Sequence, residues 1–492
     1  MSDSKFKSTA FKIQYAWFLL ILALWCLWVY SLPLGPDYTA GEMRDIYLGW
    51  LETGTLYPAL DHIPYRILNY PPLFFYLVFF LSKMGISYFL AGRVLSTSFA
   101  FLGFFVFYRW LRDEKIPSLP AKFVTALLVT SFPVLYNIPQ FYLQWPAVFF
   151  SFLGMYLLYK PSPTRIFWGA VACSLACFFK QTQIMTALLG FMWLLAYFRS
   201  KAWIYLVTGL LLGGLGLFLL EFEFGKLVWK HLFTYTVGTF SLSQLFKGLL
   251  HYLMPWCIFF ILGIRRIFQA KEKRNSLPLW YFVGSSLWLL SCARLGASSQ
   301  YFLEWSLSTL LWIGPEILDL LSSLKGIWWK NFLLIQILIA DLIIPDILAY
   351  HLLYLQKIKP QLARLCKEMS SSSSPILSEL PGLIRSCGKI PALHPFIMHN
   401  LAQKKLWDET LLIENLRQKK FEFLILPFDP SLLKVGEEKE RWSYMVLESM
   451  KENYRVENEI LEWKILVPRK ITPEGEASPL PISSPSSSKA SP

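Results

Sequence analysis

Apolar runs of membrane-crossing length recur through the first 356 residues of this chain, and they limit its fold more than any other feature. A helix needs about 20 apolar residues to cross a hydrocarbon core roughly 30 Å thick. In that medium only helices or closed barrels satisfy their own backbone groups. The runs here are continuous rather than alternating, so helices are expected. The first is expected at about 13–33, and later ones at about 87–109, 121–137, 141–159, 166–180, 182–198, 202–220, 249–264, 278–292, 302–322 and 331–355. That count gives about eleven spans of an α-helical polytopic membrane protein.

Composition supports the same class. Over 492 residues the chain is 55% hydrophobic and only 16% charged, whereas soluble domains carry about 25% charge. Lys5, Lys7 and Lys12 precede the first run, which is too long and too Trp-rich for a cleaved signal core. The net charge of +14 invites a nucleic-acid partner, but its distribution argues against one. The excess sits in short breaks between apolar runs, at Arg109, Arg112, Lys115 and Lys122, at Lys160 and Arg165, and at Arg265 and Arg266. These alternate with breaks poor in Lys and Arg, the pattern that marks cytoplasmic loops. The N-terminus is then inside and the C-terminus outside. Pro71–Met84 is short for a span and is interrupted by Lys83 and Gly85, so it is expected to lie in the outer interface within a first outer loop at 34–86.

On this topology the outer breaks hold the less ordinary residues. The first loop carries Asp37, Glu42, Arg44, Asp45, Glu52, Asp61 and Arg66. Carboxylates at a membrane surface are costly unless water, a partner or a reaction uses them. If Glu42–Gly54 is helical, Glu42 and Asp45 share a face. Other outer breaks hold Asn137–Gln140, Lys180-Gln181-Thr182, the stretch Glu221–Lys247 with His231, and Arg294–Glu304. Each admits a plainer reading: Lys180 as an anchor that snorkels to the interface, or the loop acids as solvated groups.

After residue 356 the composition becomes that of a globular domain. Strand-like runs lie at 375–377, 421–426 and 463–467, with helix-like stretches at 401–420 and 441–453. A small outer α/β domain is expected at 357–470, followed by a Pro/Ser-rich tail at 471–492 with the composition of disorder. Cys366 and Cys387 lie in this domain, where an oxidising compartment could join them, and the pairing stays open. Cys173 and Cys177 share a helix face without His nearby, and apolar packing is their expected role. There is no phosphate-cradling Gly loop, no HExxH and no nucleophile elbow.

Five short motifs occur in order along the chain: the acidic first loop, ETGTLY with NYPPLFFYL, AGRVLS opening the next helix, FFKQTQ at a helix end, and GASSQYFLE. In that order the chain resembles the GT-C glycosyltransferases, the superfamily of protein O-mannosyltransferases and of the aminoarabinose transferases that modify lipid A. The likeness is to bacterial members and covers most of residues 15–470. It implies a transmembrane GT-C module at 1–356, and transfer of a sugar from a polyprenyl-phosphate carrier to a hydroxyl acceptor, usually with inversion. The place implied is the outer face of a bacterial inner membrane.

Such chemistry needs a carboxylate to take the acceptor proton and a cation to meet the leaving phosphate. By the resemblance Glu42 is the first candidate base, Asp37 the second and Asp45 the third. Lys180, Gln181 and Arg294 are expected at the donor phosphate or sugar. Gln300, Tyr301 and Glu304 are expected to touch substrate, and Tyr70 to position the segment Pro71-Pro72-Leu73. Relatives carry an Asp where this chain has Gln144, which leaves a divalent cation (Mg or Mn) in question. It also keeps a non-catalytic membrane subunit as an alternative. A lipid or solute transporter is a second alternative, but the internal symmetry common in transporters is not seen.

Overall fold

Serine and proline set most of the helix starts. The Ser87 and Ser162 hydroxyls accept from Leu90 N–H and Arg165 N–H, and Pro163 follows the second cap. The computed structural model describes residues 56–322 and 360–469, apart from 139–141, 237, 239, 270–274, 295–296, 298, 362, 372, 375, 380–383, 385–386, 390, 435–440 and 461–462. The expected spans at 13–33 and 331–355, the tail, and the acids Asp37, Glu42 and Asp45 lie outside the described residues.

In chain order the helical module runs α1 (Leu73–Lys83), α2 (Tyr88–Asp113), α3 (Ser118–Thr130), α4 (Phe132–Asn137), α5 (Gln144–Leu158), α6 (Pro163–Phe179), α7 (Ile184–Tyr197) and α8 (Arg199–Phe224). It continues with α9 (Leu242–Gly248), α10 (Cys257–Gln269), α11 (Leu277–Trp288) and α12 (Phe302–Ser322). Among the described residues α2 and α8 are each long and apolar enough to cross a membrane. The stretches Leu242–Leu253 and Cys257–Gln269 qualify together, bent by 92°.

Two expected spans are therefore broken. The run at 121–137 divides at Ser131, which leaves the helix with ψ 137°, two residues ahead of Pro133, which has no N–H to continue the helical ladder. The run at 249–264 begins earlier and bends across Met254–Trp256, where proline supplies no N–H to the helical ladder.

Helices α5 and α6 form the hairpin that matters most for the site. A Cβ on Gly154 would come within 2.4 Å of Cys173 Sγ and 3.0 Å of the Gly169 carbonyl, so the two backbones touch there. Arms of 15 and 17 residues then bring the start of α5, Gln144, beside the residue after α6, Lys180. The surrounding core is aromatic, with Trp110, Trp145, Trp305 and Trp312 all fully buried.

The C-terminal domain, expected on the outer side and called the outer domain for that reason, is a four-stranded sheet in the order β1-β2-β4-β3: β1 (Leu377–Ser378), β2 (Leu424–Leu426), β3 (Tyr454–Ile460) and β4 (Trp463–Pro468). β1 and β2 are parallel, and the other pairings are antiparallel. Helices α13 (Pro395–Gln403), α14 (Thr410–Arg417) and α15 (Tyr444–Asn453) pack on it. The helix expected at 401–420 is thus two, parted by a turn in which Lys405 has φ 56°. β3 was not expected, because its alternation of buried and exposed positions is carried by YRVENEI, a segment poor in apolar residues.

One contact ties the two parts together. Tyr65 of the first loop pairs in parallel with Leu393, and its N–H donates to Ala392 O at 2.8 Å. Its ring, 1% exposed, meets Trp407 edge-on at 5.0 Å. The hydroxyl accepts from Asn415 Nδ2 at 3.3 Å. Residues 391–393 pair onward through Ile376, so the loop forms an outer edge of the sheet.

Cys366 and Cys387 are bonded, with Cα atoms 5.0 Å apart and a sequence separation of 21. Closing a loop of that size is worth about 3 kcal/mol by chain entropy. Replacing Cys387 by Ser is expected to lower the outer domain's stability by roughly that amount, read as its thermal midpoint in detergent. The loss should match that of the reduced wild type.

Candidate functional site

Lys180 ends α6 in an extended conformation, φ −151° and ψ 115°, which turns its side chain out of the helical row and into the bundle. The residue is 3% exposed. Its ammonium donates to Gln144 Oε1 at 2.5 Å and to Gln300 Oε1 at 3.3 Å, and it stands 5.1 Å from the centre of the Tyr301 ring. Two amide oxygens and a ring face orient the buried ammonium. Gln144 is therefore more than a lost acid: it is an acceptor for Lys180.

One helical turn beyond Gln300, Glu304 is also buried. Its Oε1 accepts from Thr186 Oγ1 at 2.6 Å, Tyr281 OH at 2.9 Å and Ser151 Oγ at 3.1 Å, with Gln183 alongside. The donors come from α5, α7 and α11, so this carboxylate joins three helices to α12. A buried carboxylate is tolerable only with such a set of donors.

Next to this nest lies a cavity of about 540 Å³ between α7 and α11. Met185, Leu188, Met192, Trp280, Leu287 and Trp288 line its length, and Thr186, Tyr281, Tyr301 and Glu304 contribute polar groups. Met185, Leu188, Met192 and Leu287 are all exposed, so the groove opens sideways between apolar side chains. Its volume falls in the usual range for small-molecule sites. Tyr301 joins the two parts: it lines the groove and covers the Lys180 ammonium.

Gln181, expected at the donor, also links two backbone segments. Its Nε2 donates to Asn69 O at 2.8 Å and to Leu232 O at 3.3 Å, which clamps the first loop to the segment after α8. Tyr70 follows, its carbonyl accepting from Tyr57 OH at 3.0 Å, and it lies within electrostatic reach of the Tyr301 hydroxyl. Arg294 reaches that hydroxyl as well. Arg294 also pairs through its backbone with Phe240, and its side chain lies where a Cβ on Gly238 would be, at 2.4 Å. Toward the outer domain, burial and then the Arg294 charge hold Lys404 below the usual lysine range.

The structure thus brings Lys180, Gln300, Tyr301 and Glu304 together, with Tyr70 and Arg294 near Tyr301. It sets Gln181 on the loop clamp, and the three candidate bases lie outside the described residues. Among the described residues no three His, Cys, Asp or Glu side chains gather as metal ligands. The donors to Glu304 went unread because Ser151, Thr186 and Tyr281 sit singly in apolar runs. His231 was noticed only as part of an outer break, yet it is fully buried against the first loop.

Replacing Glu304 by Ala strands the Thr186 and Tyr281 hydroxyls, each costing about 1–3 kcal/mol, whereas Ser151 keeps Val148 O as an acceptor. The variant is expected to lose several degrees of thermal midpoint in detergent. Glu304→Gln, which keeps an oxygen acceptor in place, should lose clearly less.

No family model and no curated protein sequence matches this chain. Solved structures do. ArnT from Cupriavidus metallidurans, bound to undecaprenyl phosphate, superposes with a TM-score of 0.57 at 13% identity, over 94% of this chain and 99% of that one. The same protein in its apo state gives 0.57 at 12% identity, over 92% and 98%. The match spans the helical module and the outer domain together, so this chain has the fold of ArnT, the GT-C architecture that its motif order resembles.

Proposed function

We propose that the chain is a glycosyltransferase that moves a sugar from a polyprenyl-phosphate donor to a hydroxyl acceptor at the outer face of the membrane, with inversion. The observation that carries this reading is the junction at Tyr301, where an oriented, buried ammonium meets the polar end of an apolar groove. A prenyl phosphate has that same division, an anionic head on an apolar tail. The ArnT fold, seen with undecaprenyl phosphate in its relative, supports the assignment.

In the proposed reaction the tail lies along α7 and α11, and Lys180 meets the phosphate as the glycosidic bond breaks and charge develops there. The acceptor hydroxyl attacks the anomeric carbon from the opposite face, which inverts it. Its proton passes to a first-loop carboxylate, Glu42 before Asp37 or Asp45. The acceptor is a glycan, a lipid or a protein. The Cys366–Cys387 bond supports an outer domain on the oxidising side of the membrane.

Undecaprenyl phosphate itself is the first probe. Native mass spectrometry or calorimetry should show it bound by the wild type, at least tenfold weaker in Lys180→Ala, and weaker again when Met192→Trp fills the groove. Transfer, followed as loss of a surface glycan in a gene-deleted strain and its recovery on complementation, should fall about 100-fold or more in Glu42→Gln. Wild-type complementation by Lys180→Ala, Glu42→Gln and Asp37→Asn alike would end the catalytic reading. Solute or lipid movement across reconstituted vesicles would point to a transporter instead.

A further inference from the structure

The segment Pro58–Tyr70 closes the first loop, and it is fastened from two sides. On the outer-domain side Tyr65 is buried in the domain core. On the side of the helical module the fastening is His231, in a π-helical turn after α8. The ring is fully buried, and both nitrogens are spent on the loop backbone. Leu68 N–H donates to Nδ1 at 3.2 Å, so Nδ1 carries no proton. Nε2 lies 2.9 Å from the Pro58 carbonyl, an acceptor, so Nε2–H donates there. One neutral tautomer satisfies both bonds, and no other protonation state does. The titratable groups that face the ring are the phenols of Tyr57 and Tyr235, with ring centres 5.4 and 5.1 Å away. Among the described residues no charged side chain acts on it.

We propose that His231 is a positioning residue: as a neutral Nε2–H imidazole it fixes the register of the loop that carries the general base against the helical module. The proposal rests on the glycosyltransferase reading for its consequence in transfer, but not for the anchoring itself. Two bonds ten residues apart in the loop, both to one rigid ring, hold it without any charge. Gln181 adds a third bond at Asn69. His231 lies outside the Lys180 cluster and the groove, so its loss is expected to leave donor binding alone.

Burial holds the ring neutral down to about pH 4, against an ordinary value of 6.5. The sign follows: the anchor has full strength above pH 6.5 and weakens as pH falls from 6.5 toward 4, because the released ring takes a proton that the bound one refuses. Between pH 7.5 and pH 5 the release equilibrium should rise about thirtyfold.

Hydrogen exchange of the full-length protein in detergent, corrected for intrinsic rates, reads this at the Leu68 amide. The wild type is expected to show the acid-dependent rise. His231→Asn sets a non-titrating oxygen near the place of Nδ1, and it should keep protection at pH 7.5 and lose the pH dependence. His231→Phe should lose protection at both pH values, lower the rate of transfer tenfold or more, and leave undecaprenyl phosphate affinity within twofold. Protection unchanged in His231→Phe, or an acid response retained in His231→Asn, would overturn the anchoring. Should His231→Phe not fold, the His231→Asn comparison decides alone. If exchange behaves as stated and no variant, wild type included, transfers sugar, the anchor stands and the enzymatic reading falls.

Discussion

An ammonium inside a helical bundle is the constraint on which the rest of this structure turns. Taking a lysine out of water costs several kcal/mol unless oxygen atoms or a ring face receive it. Lys180 is received by Gln144 and Gln300 at the ends of two further helices and by Tyr301 above it. Each of those positions depends on packing elsewhere. Gln144 reaches Lys180 because Gly154 and Gly169 let α5 and α6 touch along their length. Gln300 and Tyr301 reach it because Glu304, a turn later, is bonded into α5, α7 and α11. The glycine contact and the carboxylate nest are distant in sequence and serve one geometry.

The outer domain takes part in the same arrangement. Because Tyr65 pairs with residue 393 and sinks its ring beside Trp407, the sheet of the outer domain includes a piece of the first loop. His231 and Gln181 hold the flanking residues from the helical side. Burial holds this part of the loop as well: Leu56, Tyr57 and Leu68 pack into the helical module, and Tyr65 and Ile67 into the C-terminal domain. The domain's position is thereby linked to that of the loop, whatever further role its surface has.

What could be read from the sequence divides along physical lines. Helices α2, α5, α6, α7, α8 and α12 fall within a few residues of the expected runs, because apolar length is a local signal. The breaks at Ser131 and Pro255 were missed where a proline interrupts a run that stays apolar through it. The outer domain's class was legible from FEFLIL and WKILV, whereas β3 is paired by hydrogen bonds along a charged segment and shows little apolar pattern. Short motifs singled out Lys180 and Gln300, which the structure brings together. Gln181 belongs to the same motif as Lys180, but it points to the loop backbone at Asn69, a contact between residues 112 apart that local pattern cannot encode.

Gln144 shows how a departure from a family pattern acquires meaning only in three dimensions. By the family resemblance it is an acid exchanged for an amide, and the simplest inference is loss of function. In the fold it keeps the acceptor oxygen that a carboxylate would offer and drops the negative charge. A carboxylate there would neutralise the ammonium and repel a phosphate, while the amide orients the same ammonium and leaves the field at the groove mouth more positive. On the proposed reading the exchange suits an anionic head group beside Tyr301, because the amide still holds Lys180 in place.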